Sequence, residues 1–167
     1  MIDFNSYLYE YKIKKAKMLF IKGKLKEALN FFDSAIKIKP CKTKVYYERG
    51  KIYSFLEKYY MAIEDFTQAI NLDPEDEIYY IERGEVYCLL GKYYFGIEDF
   101  NKAIELKPRF ESSYYLNGKA YYKIGKYNKA IKSFNKAISL SLNDYEKKLY
   151  YKKRGDAYKK LIKLNKK

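Results

Sequence analysis

The chain has 167 residues, with 35 Lys and Arg against 21 Asp and Glu, a net charge of +14. It has no histidine, which removes the commonest general base and the commonest metal ligand. Two cysteines, Cys41 and Cys88, match no metal spacing and no disulfide framework, and no apolar run is long enough to span a bilayer.

Residues 1–6 lack the charged and apolar regions of a signal peptide, so a cytoplasmic protein is expected. From residue 9 a pattern begins that returns every 34 residues. The only three prolines, Pro40, Pro74 and Pro108, keep that period. So do Gly50, Gly84 and Gly118, and the columns Phe32, Phe66, Phe100, Phe134 and Ala35, Ala69, Ala103, Ala137. A fixed period of this length marks a stack of small units.

The first copy, residues 9–42, keeps Ala28, Phe32, Ala35 and Pro40 but has Lys12 and Ala16 where later copies have tyrosine and glycine. In the second, 43–76, Tyr46, Arg49, Gly50 and Tyr53 are spaced for one face of a helix. A break at Leu56-Glu57-Lys58 follows, where later copies place Gly91 and Gly125, suited to a turn of positive φ. A second helical pattern carries Ala62, Phe66 and Ala69, and Pro74 stops it. Small residues at 50 and 62 let the two helices approach, and Phe66 is expected to fill the space between neighbouring repeats. Copies three and four span 77–110 and 111–144. Three extra residues follow position 144. Tyr151, Arg154, Gly155 and Tyr158 then restart the first-helix pattern, so residues 148–164 are expected to form a lone capping helix.

The residues Tyr46, Gly50, Tyr53, Ala62, Phe66, Ala69 and Pro74, with their counterparts 34 and 68 positions later, resemble the tetratricopeptide repeat family. The family's leucine before the glycine is Arg49, Arg83 and Asn117 here. The resemblance implies an all-α fold: a right-handed α-solenoid of stacked antiparallel helix pairs, four repeats plus a capping helix, as one domain over residues 1–167. It also implies a non-catalytic protein that binds a protein or peptide in a concave groove lined by first helices. Residues offset from the packed face then line the groove: Ile13 and Lys17, Tyr47 and Lys51, Ile81 and Glu85, and Tyr115, Lys119 and Tyr122. Tyrosine gives an interface apolar area with few rotors, and the lysines favour a partner with acidic groups.

Some family members grip acidic chaperone tails with a clamp of Lys, Asn and Arg. The equivalent places here hold Ile13, Lys17, Glu48, Ile78 and Glu82, or, one repeat later, Tyr47, Lys51, Glu82, Ser112 and Leu116. Neither set makes a clamp. No catalytic residue, metal site or cofactor is expected, since no phosphate loop or nucleophile motif is present.

An ion pair within each helix pair is expected from covariation among the repeats. Arg49 occurs with Asp65 and Arg83 with Asp99, whereas Asn117 occurs with Ser133 and Lys15 with Phe31.

The basicity is uneven. Residues 145–167 hold ten basic and two acidic side chains, whereas 43–76 hold four and seven. One reading is nucleic-acid or other polyanion binding through the basic ends. The other is lysine-rich solvated faces, which the ratio of 31 Lys to 4 Arg favours. Self-association through Leu161, Ile162 and Leu164 is a further option, the alternative being that they cover the last repeat.

Overall fold

The turn between paired helices explains how the chain doubles back. In the computed structural model, which describes residues 3–166, Lys58 N donates to Tyr53 O (2.8 Å) and Glu57 N to Ser54 O (3.0 Å). Lys92 to Tyr87 and Lys126 to Tyr121 repeat the six-to-one bond at 2.8 and 2.9 Å. This hydrogen-bonded C-cap needs a left-handed residue at its centre. Gly23, Gly91 and Gly125 supply it at φ 72–74°, whereas Glu57 adopts φ 58° with a side chain attached.

Among the described residues there are nine helices and no strand, an all-α helical-repeat fold. They fall into two compact units, Met1–Glu75 and Asp76–Lys167. The first unit holds α1 (Phe4–Ile21), α2 (Leu25–Ile38), α3 (Thr43–Phe55) and α4 (Tyr59–Leu72). The second holds α5 (Glu77–Leu89), α6 (Tyr93–Leu106), α7 (Glu111–Lys123), α8 (Tyr127–Leu140) and α9 (Asp144–Asn165). Within each unit every helix packs on the next. Met1 and Ile2, where the signal-peptide reading began, lie outside the described residues, as does Lys167.

Helix boundaries follow the expected chemistry. Pro40, Pro74 and Pro108 each stand two residues beyond the end of α2, α4 and α6. Asp76 Oδ1 accepts from Ile78 N (3.0 Å) and caps α5, and Asn143 Oδ1 accepts from Tyr145 N (2.9 Å) and caps α9. That cap starts α9 at Asp144, four residues before the expected start. Asp3 likewise starts α1 ahead of the repeat, accepting from Asn5 N (3.1 Å) and the Ser6 hydroxyl (2.7 Å).

The small residues set helix spacing. A Cβ added at Gly50, Gly84 or Gly118 would lie 2.8, 2.8 or 2.7 Å from the ring of Phe66, Phe100 or Phe134. Each ring therefore lies over the glycine of its own helix pair, and Phe32, Phe100 and Phe134 also share clusters with Val45, Ala120 and Ala157 of the following helices, as the sequence reading expects. All four phenylalanines are at most 1% exposed, and burying each contributes roughly 1.5–3 kcal/mol. Gly155 has nothing within 4 Å of its notional Cβ. Among the described residues no ring faces Gly155 as Phe134 faces Gly118. Leu161 packs onto the Ala130, Phe134 and Ala157 cluster, while Ile162 and Leu164 stay exposed.

Candidate functional site: the first-helix faces and their polar ties

The expected ion pairs form. Arg49 Nε and Nη2 donate to the two carboxylate oxygens of Asp65 at 2.8 and 2.6 Å, and Arg83 does the same to Asp99 at 2.9 and 2.7 Å. Burial raises the Asp65 and Asp99 carboxyls above their ordinary range, and the arginine hydrogen bonds offset part of that rise. Where Asn117 and Ser133 replace the pair, the Ser133 hydroxyl donates to Asn117 Oδ1 (3.0 Å). The sequence reading missed the third partner. Arg49 Nη1 also donates to Asp33 Oδ1 (2.7 Å), and Asn117 Nδ2 donates to Asn101 Oδ1 (2.9 Å). Arg49 and Asn117 thus each tie their own second helix to the second helix of the preceding repeat. The signal was available in the sequence: Asp33 and Asn101 occupy one column.

The first unit's exposed first-helix face centres on Glu48. Lys17 of α1 and Lys51 of α3 both pair with its carboxylate, Lys51 at 2.9 Å. Burial pushes the Glu48 carboxyl up, but hydrogen bonds and charge from the two lysines outweigh it and hold it below its ordinary range. Lys51 Nζ also lies 4.6 Å from the centre of the Tyr47 ring, and Tyr47 meets Phe66 at 6.2 Å. Ile13, expected beside Lys17, is 4% exposed in a core cluster with Tyr9, Ala16 and Phe32. It has no surface to offer a partner, because the packed arc of α1 is wider than the offset from the tyrosine and glycine positions suggested.

The second unit repeats the lysine–tyrosine arrangement. Lys119 Nζ lies 5.4 Å from the Tyr115 ring centre. Tyr115 meets Phe134 at 6.0 Å and Tyr150 of α9 at 4.7 Å, and burial raises the Tyr150 hydroxyl to about 12. Tyr122 stands edge-on to Tyr127 at 5.4 Å. Lys119 and Glu85 are exposed, Tyr115 and Tyr122 half-buried. Ile81 corrects the sequence reading: it is 5% exposed, in succession with Tyr79 and Tyr80 at 8% each. Three buried neighbours in a row mean that cover extends round more than half of α5 at that level. Apolar surface is left open at the C-terminal ends of first helices, at Ile21 (84%), Phe55 (69%) and Leu89 (62%).

The family description "Tetratricopeptide repeat" matches residues 43–76 and 112–144, and "TPR repeat" matches 84–125. The chain is a tetratricopeptide repeat protein. Among solved structures of such repeats, MamA is similar at a TM-score of 0.79 and 22% identity, over 95% of this chain and 90% of MamA. YrrB, a TPR protein with an unusual peptide-binding site, is similar at 0.74 and 22%, over 88% and 74% of the two chains. The first TPR of Spaghetti (RPAP3), bound to the HSP90 peptide SRMEEVD, is similar at 0.68 and 25%, over 72% and 94%. No curated protein sequence matches.

Tetratricopeptide repeat proteins mediate protein–protein interactions and bind peptides. No helix among the described residues of this one is long and apolar enough to cross a membrane. Its departures from the family pattern are Arg49, Arg83 and Asn117, which replace a leucine by polar ties, and Glu57, which replaces a turn glycine.

Proposed function

We propose that this protein is a non-catalytic, cytoplasmic interaction scaffold that holds a peptide or protein segment on the exposed faces of its first helices. The observation that carries this reading is the repeated lysine–tyrosine pair. Tyr47 with Lys51, and Tyr115 with Lys119, stand at the same repeat position, each lysine over its ring. A half-buried tyrosine beside a cation offers a partner apolar area and charge together at low entropic cost. Residues Lys17, Tyr122 and Glu85 extend these faces within their own units.

A chaperone-tail carboxylate clamp forms no part of the proposal. The place for a neutral clamp residue holds Glu48, and Lys17 and Lys51 are already engaged by it. A peptide ending in acidic residues would meet the Glu48 carboxylate where a clamp places a neutral donor.

The test is affinity capture from the lysate of the native cell at moderate salt, comparing the protein with Tyr47→Ala/Lys51→Ala/Lys119→Ala. Tyr115 stays in place because its ring supports Tyr150. Loss of a captured protein with unchanged far-ultraviolet circular dichroism supports the scaffold, and equal capture rejects it. Binding of a nucleic acid through the basic ends is the competing reading. Capture that collapses as salt rises from 50 to 200 mM would favour it.

A further inference from the structure

In the second unit, α6, α7 and α8 enclose an open cleft of about 750 Å³. It uses a different face of α7 from Tyr115, Lys119 and Tyr122. Tyr114, Asn117 and Tyr121 of α7 form its floor, and the second helices form its walls. Lys129, Lys132 and Lys136 line the α8 wall, and no acidic residue lines the cleft. Among the described residues none of the three lysines has an ion-pair partner. Lys129 lies 5.5 Å from the Tyr121 ring centre.

The hydrogen bonds inside the cleft have a direction. Ser133 donates to Asn117 Oδ1, and Asn117 Nδ2 donates to Asn101 Oδ1. Arg154 Nη1 donates to Asn135 Oδ1 at 2.7 Å. Each wall asparagine thus uses its oxygen as an acceptor inside the protein and keeps its amide N–H groups to donate. Three ammonium groups, which only donate, stand beside them. The cleft is thus rich in donors and poor in acceptors, the complement of an oxygen-rich anion.

The first unit shows what the same place looks like when it is closed. Two repeats earlier, Arg49 stands at the position of Asn117 and fills the space by bonding Asp33 and Asp65, the counterparts of Asn101 and Ser133. Its rim carries Met61, Glu64 and Gln68 where the cleft has Lys129, Lys132 and Lys136. One substitution shortens the plug, two remove the acids it needed, and three make the rim basic. Solvated lysine composition accounts for the last change alone. The withdrawal of the plug is a separate change at the same location.

We propose that this cleft binds a small ligand of nucleotide size that carries two or more phosphate groups. Its volume lies within the 300–1,000 Å³ of small-molecule sites. Lys129 to Lys136 spans about 10 Å of helix axis at 1.5 Å per residue, a row long enough to take more than one phosphate. Tyr114, Tyr121 and Ile104 offer flat apolar surface for the rest of such a molecule.

The test is isothermal titration calorimetry of the full chain with ADP and with inorganic triphosphate at 100 mM salt, and with a fifteen-residue oligothymidylate as a third arm. The expected result is one site per chain for ADP or triphosphate. Lys132→Glu/Lys136→Glu should weaken it at least tenfold. Lys14→Glu/Lys22→Glu, an equal charge change in the first unit, should leave it within twofold. Asn117→Arg/Ser133→Asp, which rebuilds the plug, should abolish binding, with circular dichroism reporting the fold of each variant. Equal weakening by the two charge reversals would make the effect one of bulk charge and overturn the proposal. So would the absence of binding by both small phosphates, or binding of the oligothymidylate alone. None of these outcomes bears on the first-helix faces, whose variant should bind ADP or triphosphate as the parent does.

Discussion

Asp65 is 2% exposed and is gripped by Arg49 through two hydrogen bonds of 2.6 and 2.8 Å. Removing only the arginine strands a buried carboxylate. Arg49→Leu should cost about 3–5 kcal/mol, the usual penalty for breaking a buried pair from one side. The protein's own fourth repeat shows a neutral solution, so Arg49→Asn/Asp65→Ser should lose clearly less than the single variant. Urea unfolding midpoints of the three proteins check this.

Two glycines at one repeat position should respond with opposite sign. Gly118→Ala drives a methyl to within 2.7 Å of the Phe134 ring and should destabilise by about 1–3 kcal/mol. Gly155→Ala meets nothing within 4 Å and should stabilise α9 by about 0.5–1 kcal/mol through helix propensity. Thermal melts of the pair decide it.

Glu57→Gly should raise stability. Glu57 holds φ 58° where the sister turns place Gly91 and Gly125, and the left-handed region costs a residue with a Cβ about 1–2 kcal/mol. The greater freedom of glycine in the unfolded chain returns part of that gain. A rise in melting temperature is expected, and a fall would mean that the Glu57 side chain makes a compensating contact.

Ser113 Oγ is fully buried and has no hydrogen-bond partner. The second repeat has Val45 at the same place, also 0% exposed. Ser113→Val exchanges an unsatisfied hydroxyl for apolar volume and should stabilise by about 1 kcal/mol. A loss measured by urea unfolding would reveal a partner for the hydroxyl.

The Glu48 carboxyl is held below its ordinary range by Lys17 and Lys51. A group whose value is lowered on folding contributes stability above its unfolded value and loses it as pH falls through its folded one. Glu48→Gln should therefore destabilise at neutral pH, and the difference from the parent should shrink in acid. A difference that stays constant between pH 7 and pH 3 would exclude the coupling. High salt should narrow the gap at neutral pH.

The amino-acid order by itself determined the repeat, its helix pairs, the turns and the Arg49–Asp65 and Arg83–Asp99 pairs. These depend on spacings inside one hairpin, and the period displays one hairpin four times over. Only the tertiary structure decided that Ile13 and Ile81 are buried, that Glu48 collects two lysines, that Arg49 reaches back to Asp33, and that the counterpart of its plug is withdrawn beside α8. Each of those outcomes depends on which side chain a neighbouring repeat brings opposite. The periodicity fixes the backbone at that meeting, while side-chain length and charge decide whether the space is filled, paired or left open.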